Sequence, residues 1–201
     1  ENVIFESRPN FHVTATLRLP KTDPPYPAVL VACGHSAVAK ASELYQRGSI
    51  LLAKNGMASL CFDPIGQGER FQILDADGKP TMGGTLEHTL VGQGAILVGS
   101  NAANYFVWDG IRAIDYLVSR DDIDADRIGC AGNSGGGTQT SYLMAYDDRI
   151  KAAAPSCFLT SLRRLLTTQT PQDAEQNLFG AVAFGMEHTD YIHVRAPKPT
   201  L

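Results

Sequence analysis

Several common signals are absent from this sequence of 201 residues, and each absence removes a class of protein. No run of about 18 apolar residues occurs, so no helix is expected to span a membrane. The formal net charge is −4, which leaves no basic excess for binding a nucleic-acid backbone. The chain begins at Glu1 and shows no signal peptide, which indicates a trimmed start and leaves the cellular compartment open.

Motifs for bound metals and nucleotides are also missing. The 4 cysteines have no CxxC spacing and lie in or at the end of apolar runs, so we expect small core residues and no disulfide or metal site. Neither a P-loop nor a G-x-G-x-x-G loop occurs. The segment DADG (75–78) begins like a calcium loop, but Leu86 stands where that loop requires glutamate, so a plain turn is expected.

What the sequence does contain is an alternation of strand and helix patterns. Residues 11–19, FHVTATLRL, alternate apolar with polar and predict a half-buried antiparallel strand. Continuous apolar runs, typical of strands covered on both faces, follow at 28–34, 56–64, 127–132 and 150–158. Helical stretches lie between them at 41–56, 105–120 and 138–146. The order predicts an α/β fold with a mostly parallel sheet flanked by helices, in which 65–104 form a long connection near the binding face.

The segment GNSGGG (132–137) joins an apolar run to a helical stretch and fits G-x-S-x-G, the nucleophile elbow, centred on Ser134. Small neighbours let strand and helix pack closely while Ser134 takes a strained conformation that exposes its hydroxyl. The backbone N–H of Gly135, at a helix N-terminus, then points to where an oxyanion would form. The alternative is a glycine-rich loop that holds a phosphate, although neither phosphate-loop motif is present.

A second oxyanion donor is expected from the loop after an earlier strand. The segment CGHS (33–36) directly follows an apolar run, so the backbone N–H of His35 is the first candidate and that of Ser36 the second. An alternative makes the His35 side chain the catalytic base, but in this fold the base follows the nucleophile in chain order. Asp63, at the end of another strand, is expected to tie its loop to backbone donors, and Glu69 and Arg70 to form a local ion pair.

These residues resemble a known family, the α/β-hydrolase fold serine esterases of the acetyl xylan esterase-like group. The resemblance rests on PAVLVACGHS, FDPIGQGER, VWDGIRAIDYL, DADRIGCAGNSGGGTQTSYLMAYDDRIKAAAPS and PQDAEQN…FGMEHTDY, which together span nearly the whole chain. It implies one α/β-hydrolase domain over residues 1–201, with Ser134 as nucleophile and the N–H groups of Gly135 and His35 as oxyanion hole. It also implies an acetylated carbohydrate such as xylan as substrate. Such a mechanism needs no metal and no organic cofactor.

In this family the catalytic acid follows the seventh strand and the histidine lies nearer the C-terminus. The segment RAPKPTL (195–201) has the pattern expected at the start of that strand. We therefore expect the C-terminal strands and helices, with the acid and base, to lie beyond Leu201, in the missing part of a truncated chain or in a second fragment. Within the chain, the alternatives are His188 as base and Asp173 or Glu175 as acid, because all three follow the nucleophile in sequence.

Two other functions stay open at this point. One is a different acyl hydrolase on the same fold, such as a peptidase or thioesterase, because fold and elbow do not determine the substrate. The other is a hydrolase-like binding module without catalysis. The partners expected are a small-molecule or carbohydrate ester and no nucleic acid, and the oligomeric state is not predicted.

Overall fold

A six-stranded mixed sheet lies at the centre of the structure, a computed structural model that describes residues 1–169 and 172–201. The strands are β1 (Asn2–Arg8), β2 (Phe11–Arg18), β3 (Tyr26–Ala32), β4 (Ala58–Phe62), β5 (Ile123–Asn133) and β6 (Ile150–Ser156). Their order across the sheet is β1-β2-β4-β3-β5-β6. β2 pairs antiparallel with β1 and β4, whereas β3, β4, β5 and β6 are parallel to one another. The predicted α/β class and the antiparallel strand at 11–18 are confirmed.

Helices follow the strands in the order expected for parallel pairing. They are α1 (Glu43–Lys54), α2 (Thr85–Leu97), α3 (Ala102–Val118), α4 (Gly135–Tyr146), α5 (Leu162–Thr168) and α6 (Asp190–Arg195). Single 3-10 turns occupy Ala39–Ala41 and Ala174–Gln176. The sequence did not predict α2, which lies inside the connection expected over 65–104, whereas the turn at Asp75–Gly78 is confirmed.

Helices cover both faces of the sheet. Leu30 and Val31 are neighbours in β3 and so point to opposite faces. Leu30 belongs to the larger apolar cluster, which also contains residues of α3 and α4. Val31 belongs to a smaller cluster with Cys61 of β4 and Tyr45 of α1. This two-sided burial explains why these strands have continuous apolar sequences. Among the described helices, none is long and apolar enough to cross a bilayer.

Buried polar side chains fix the loops at the carboxyl ends of the strands. Asp63 is fully buried and accepts hydrogen bonds from the hydroxyl of Thr14 at 2.7 Å and from the backbone N–H groups of Lys40 and Glu69 at 3.1 and 3.3 Å. This confirms that Asp63 ties its loop to backbone donors. The predicted Glu69–Arg70 pair is wrong, because Glu69 pairs with Lys40 and Arg70 turns into the interior.

Arg70 connects three separate segments from a buried position. Its guanidinium donates to the backbone oxygens of His12 at 3.0 Å and Asp63 at 2.9 Å. Its Nη1 lies 2.8 Å from Oδ2 of Asp109 in α3, and the two side chains are 3% and 2% exposed. The contact is an ion pair without hydrogen-bond alignment, since neither Asp109 oxygen has a hydrogen-bond partner among the described residues.

The last segments of the chain pack against β6 and the residues after it. The backbone N–H of Ala153 donates to Pro199 at 3.1 Å and the N–H of Leu201 donates to Ala153 at 3.0 Å, which begins the parallel pairing expected for 195–201. The ring of His188 stacks on Phe158, with centroids 4.3 Å apart. Cys157 corrects the expectation of four core cysteines, because it is exposed whereas the other three are buried.

Replacing Asp109 with Asn is expected to lower the free energy of unfolding by about 3–5 kcal/mol, because it leaves the buried Arg70 cation without its counter-charge. Urea unfolding followed by circular dichroism measures the change. Glu43→Gln is the matched control, since it removes an ion pair with Arg47 whose side chains are 76% and 80% exposed, and should change the value by less than about 1 kcal/mol. A loss in Asp109→Asn no larger than in the control would contradict the structural role of the pair.

Acidification is expected to destabilise the protein through His188. Burial lowers the pKa of His188 although a hydrogen bond with the Phe158 backbone opposes the shift. As the pH falls through about 6.5, His188 binds a proton in the unfolded state but not yet in the folded state. The free energy of unfolding therefore decreases. His188→Gln should flatten this decrease in urea unfolding curves, and His193→Gln, at a side chain 75% exposed, should not. Equal slopes in wild type and His188→Gln would show the assignment to be wrong.

Candidate active site

Ser134 is the single residue between β5 and α4. Its φ of 57° and ψ of −121° form a left-handed conformation that costs a residue with a Cβ atom about 1–3 kcal/mol. The turn is held on both sides, because the N–H of Ser134 donates to the oxygen of Ser156 at 2.9 Å and its oxygen accepts from the N–H of Thr138 at 3.0 Å. Ser134 is exposed. The structure therefore contains the strained, open turn that the sequence predicts.

Glycines around Ser134 permit backbone contacts that no side chain would allow. A Cβ atom on Gly132 would lie 2.3 Å from the oxygen of Gly136, and one on Gly136 would lie 2.1 Å from the oxygen of Ala32. A Cβ on Gly137 would lie 2.2 Å from the oxygen of Ser156. The first turn of α4 is thus pressed directly onto the ends of β3, β5 and β6.

The loop after β3 packs against the same turn. A Cβ atom on Gly34 would lie 2.3 Å from the oxygen of Asn133 and 3.3 Å from the Cβ of Ser134. The ring of His35 covers Gly135, where an added Cβ would lie 3.0 Å from Cε1 of His35. The two segments that the sequence assigns to the oxyanion hole therefore meet beside the serine.

Two backbone donors lie in this region without an acceptor. Among the described residues, none accepts a hydrogen bond from the N–H of His35 or from the N–H of Gly135. The N–H of Gly135 belongs to the first turn of α4, where intrahelical acceptors do not exist. Unpaired N–H groups at a helix N-terminus can receive a negatively charged oxygen.

Side chains from other elements hold the His35 loop in place. Gln67 donates to the backbone oxygens of Gly34 at 2.8 Å and Ser36 at 3.1 Å. Gln139 of α4 donates to the oxygen of Cys33 at 3.1 Å. These bonds pair the loop carbonyls and restrain the loop on both sides of His35. Sequence analysis did not identify either glutamine, because each partner is more than 30 positions away in sequence.

A buried carboxylate and two histidines form a cluster next to Gly135. Oε1 of Glu175 lies 2.9 Å from Nε2 of His35, and Oε2 lies 3.1 Å from Nδ1 of His88. The other ring nitrogen of His88, Nε2, contacts the oxygen of Ile65 at 2.8 Å. Nδ1 of His35 lies 3.6 Å from Oδ2 of Asp173.

The cluster shifts the pKa values of its members. Burial disfavours ionisation of Glu175, but its hydrogen-bond contacts with the ring nitrogens of His35 and His88 outweigh burial and lower the pKa of the carboxyl to about 2. Burial works against the His35 imidazolium, and the hydrogen bond to Glu175 reverses the balance and raises the pKa of His35. Burial and then the charge of Glu175 raise the pKa of Asp173. The shifts therefore favour a negatively charged carboxylate at Glu175.

The three acid and base candidates within the chain are not assembled as a triad by the described residues. Asp173 and Glu175 face His35, which comes before the nucleophile in sequence. His188 stacks on Phe158, and its Nδ1 has no hydrogen-bond partner in the part of the chain that the structure describes. Across residues 1–169 and 172–201, no side chain hydrogen-bonds Oγ of Ser134.

His88 is the member of the cluster to which sequence analysis gave no role. It lies on α2, in the segment expected to be a glycine-rich connection, and its side chain is fully buried. Glu175 follows it by 87 positions. A histidine inside an unpredicted helix carries no local sign of such a partner, so only the folded chain brings the two together.

Comparison with known proteins identifies relatives over most of the sequence. The family model "Acetyl xylan esterase (AXE1)" matches residues 2–189. A curated protein of Bacillus subtilis (strain 168), "Putative hydrolase YtaP", is 30% identical over 159 residues, which are 74% of this chain and 49% of that protein. The chain thus spans about half the length of this relative.

Solved structures share the fold. "A putative acetyl xylan esterase (BF1801)" from Bacteroides fragilis NCTC 9343 superposes with a TM-score of 0.79 at 18% identity, over 98% of this chain and 57% of that one. "Acetyl xylan esterase from Paenibacillus sp. R4" gives a TM-score of 0.56 at 23% identity, over 86% of this chain and 58% of that one. With the family match over residues 2–189, the chain belongs to the acetyl xylan esterase (AXE1) family and has the α/β-hydrolase fold.

Proposed function

We propose that this chain carries the nucleophile and oxyanion-binding groups of a serine esterase that removes acetyl groups from carbohydrate. The observation that carries the proposal is the exposed Ser134 on a strained turn, beside the unpaired N–H groups of Gly135 and His35. Family membership supports a carboxylic ester hydrolase. The names of the structural relatives support acetylated carbohydrate as substrate class.

The mechanism follows from the positions of these groups. The carbonyl oxygen of the ester lies toward the N–H groups of Gly135 and His35, and Oγ of Ser134 attacks the carbonyl carbon while its proton passes to a histidine. The tetrahedral intermediate collapses, the sugar hydroxyl leaves with that proton, and acetyl-Ser134 remains. Water then attacks the acetyl group, releases acetate and restores the serine.

We place the general base and its acid, as part of this proposal, in the segment expected after Leu201. Asp173 and Glu175 are engaged with His35, and within the described ranges no carboxylate lies at salt-bridge distance from His188. Chain order permits His188, but the position expected for the histidine in this fold lies later in the sequence. The nucleophile and the oxyanion donors are the parts of the mechanism that this chain supplies.

Replacing Ser134 with Ala in the intact protein that contains this chain is expected to lower kcat for aryl-acetate hydrolysis by about 10⁴–10⁶, because no acyl-enzyme can form. Ser119→Ala is the matched control, since its hydroxyl bonds only the oxygen of Tyr116 at the end of α3. Mass spectrometry of quenched wild-type reactions should find acetyl on the peptide that contains Ser134. Equal turnover by wild type and Ser134→Ala would refute the nucleophile, and a wild type without burst or turnover would favour a binding module.

Acetylated xylo-oligosaccharide is expected to be the preferred substrate over an acetyl thioester and an acylated peptide of similar size. The expectation is a kcat/KM at least about tenfold higher for the carbohydrate, because one class-specific contact contributes about 1.4 kcal/mol or more to transition-state binding. Acetate release in parallel assays measures it, with Ser134→Ala as the blank for each substrate. A thioester or peptide hydrolysed faster than the carbohydrate would replace the substrate class and leave the serine mechanism intact.

A further inference from the structure

Three ligand atoms from distant parts of the chain converge beside the elbow. Nε2 of His35, Nδ1 of His88 and a carboxylate oxygen of Glu175 all lie within 4.8 Å of one another. They come from the loop after β3, from α2 and from the 3-10 turn at Ala174–Gln176. The sequence analysis found no metal motif because the spacings of 53 and 87 positions match none.

One ring nitrogen of each histidine faces the centre of this group, and for His88 a hydrogen bond fixes which nitrogen carries the hydrogen. Nε2 of His88 is 2.8 Å from the oxygen of Ile65, and since a carbonyl oxygen only accepts, Nε2 carries the hydrogen. Nδ1 of His88, the other ring nitrogen, faces Oε2 of Glu175 at 3.1 Å. Nδ1 of His35 faces Oδ2 of Asp173 at 3.6 Å, and Nε2 of His35 faces Oε1 of Glu175 at 2.9 Å.

Two ring nitrogens and a carboxylate that meet in a buried space require a positive charge among them, either a proton or a cation. The spacing fits a cation. Ligand atoms bound to one zinc ion at about 2.0–2.2 Å lie roughly 3.3–3.6 Å apart in a tetrahedron. Nε2 of His35 and Nδ1 of His88 are 3.3 Å apart, and their distances to the Glu175 oxygens are 2.9 and 3.1 Å, a few tenths shorter.

The surroundings also have the form of a metal site. Metal-binding histidines commonly donate their second N–H to a carbonyl or carboxylate, which fixes the ring. His88 meets this condition through Ile65, and the second ring nitrogen of His35 faces the carboxylate of Asp173 at 3.6 Å. The backbone of Glu175 is held by the hydroxyl of Tyr142, which donates to its oxygen at 3.0 Å.

We propose that His35, His88 and Glu175 bind a divalent transition-metal ion, with Zn²⁺ as the best match to two imidazoles and one carboxylate. The His88 and Glu175 side chains are 0% and 2% exposed and that of His35 is 21% exposed, so the fourth coordination position opens on the His35 side. This proposal departs from the sequence expectation of no metal and is independent of the esterase mechanism.

The test is Zn²⁺ binding to the chain after treatment with EDTA and desalting, measured by isothermal titration calorimetry and by metal analysis after gel filtration. Wild type is expected to bind one Zn²⁺ per chain and to unfold at a higher temperature with Zn²⁺ present. His88→Gln and Glu175→Gln should weaken binding by far more than tenfold because each removes a ligand. His193→Gln, on an exposed histidine of α6, should bind as wild type does.

Asp173→Asn distinguishes loss of metal binding from loss of folding, since the Asp173 side chain is 30% exposed and faces the cluster at His35. It should fold normally and bind Zn²⁺ about 10–100-fold more weakly. Co²⁺ added in place of Zn²⁺ should give the visible absorption of a tetrahedral site in wild type and not in Glu175→Gln. Absence of stoichiometric Zn²⁺ binding by wild type, or binding unchanged in both His88→Gln and Glu175→Gln, would overturn the proposal and leave a shared proton as the charge in the cluster.

Discussion

The direct contact of backbone with backbone around Ser134 is the constraint on which the rest of the site depends. Gly136 touches the end of β3, Gly132 touches Gly136, and Gly137 touches the residue that ends β6, at separations that exclude any Cβ atom. Such contact keeps Ser134 in a conformation that a residue with a side chain adopts only when its surroundings impose it. Residues 135–144 of α4 are all buried, so burial of this helix stabilises the turn and offsets its strain. The exposed hydroxyl is therefore a consequence of how α4 packs.

The loops around the turn are held by polar side chains buried beneath them. Loops at the carboxyl ends of parallel strands have backbone groups that the sheet does not pair, and leaving them unpaired would be costly. Asp63, Gln67 and Arg70, which follow β4, supply those partners for the segments at Lys40, Gly34 and His12. Among the described residues, the N–H of His35 has no hydrogen-bond acceptor. A restrained loop with an unpaired donor suits oxyanion binding because little reorganisation is needed when charge develops.

Sequence predicted the features that local patterns encode, and missed those that depend on distant contacts. The central strands, the strained serine and the loop at His35 follow from apolar runs, glycine spacing and chain order. Helix α2 was missed because Gly92 and Gly94 interrupt it and its apolar residues form no single face. The partner of Arg70 was predicted to be its neighbour Glu69, but the buried position of Arg70 selects Asp109 in α3 instead. Cys157 was expected in the core with its apolar neighbours, yet it follows the last residue of β6 and has a φ of 58°.

His35 belongs both to the loop beside Ser134 and to the buried cluster with His88 and Glu175. Its backbone N–H lies in the loop beside Ser134, whereas its ring lies between Gly135 and the carboxylate of Glu175. A side chain held on both faces leaves its own backbone little freedom, so whatever positive charge the cluster contains also fixes the position of the N–H. The cluster and the turn at Ser134 thus meet at a single residue, whose ring contacts both Gly135 and Glu175.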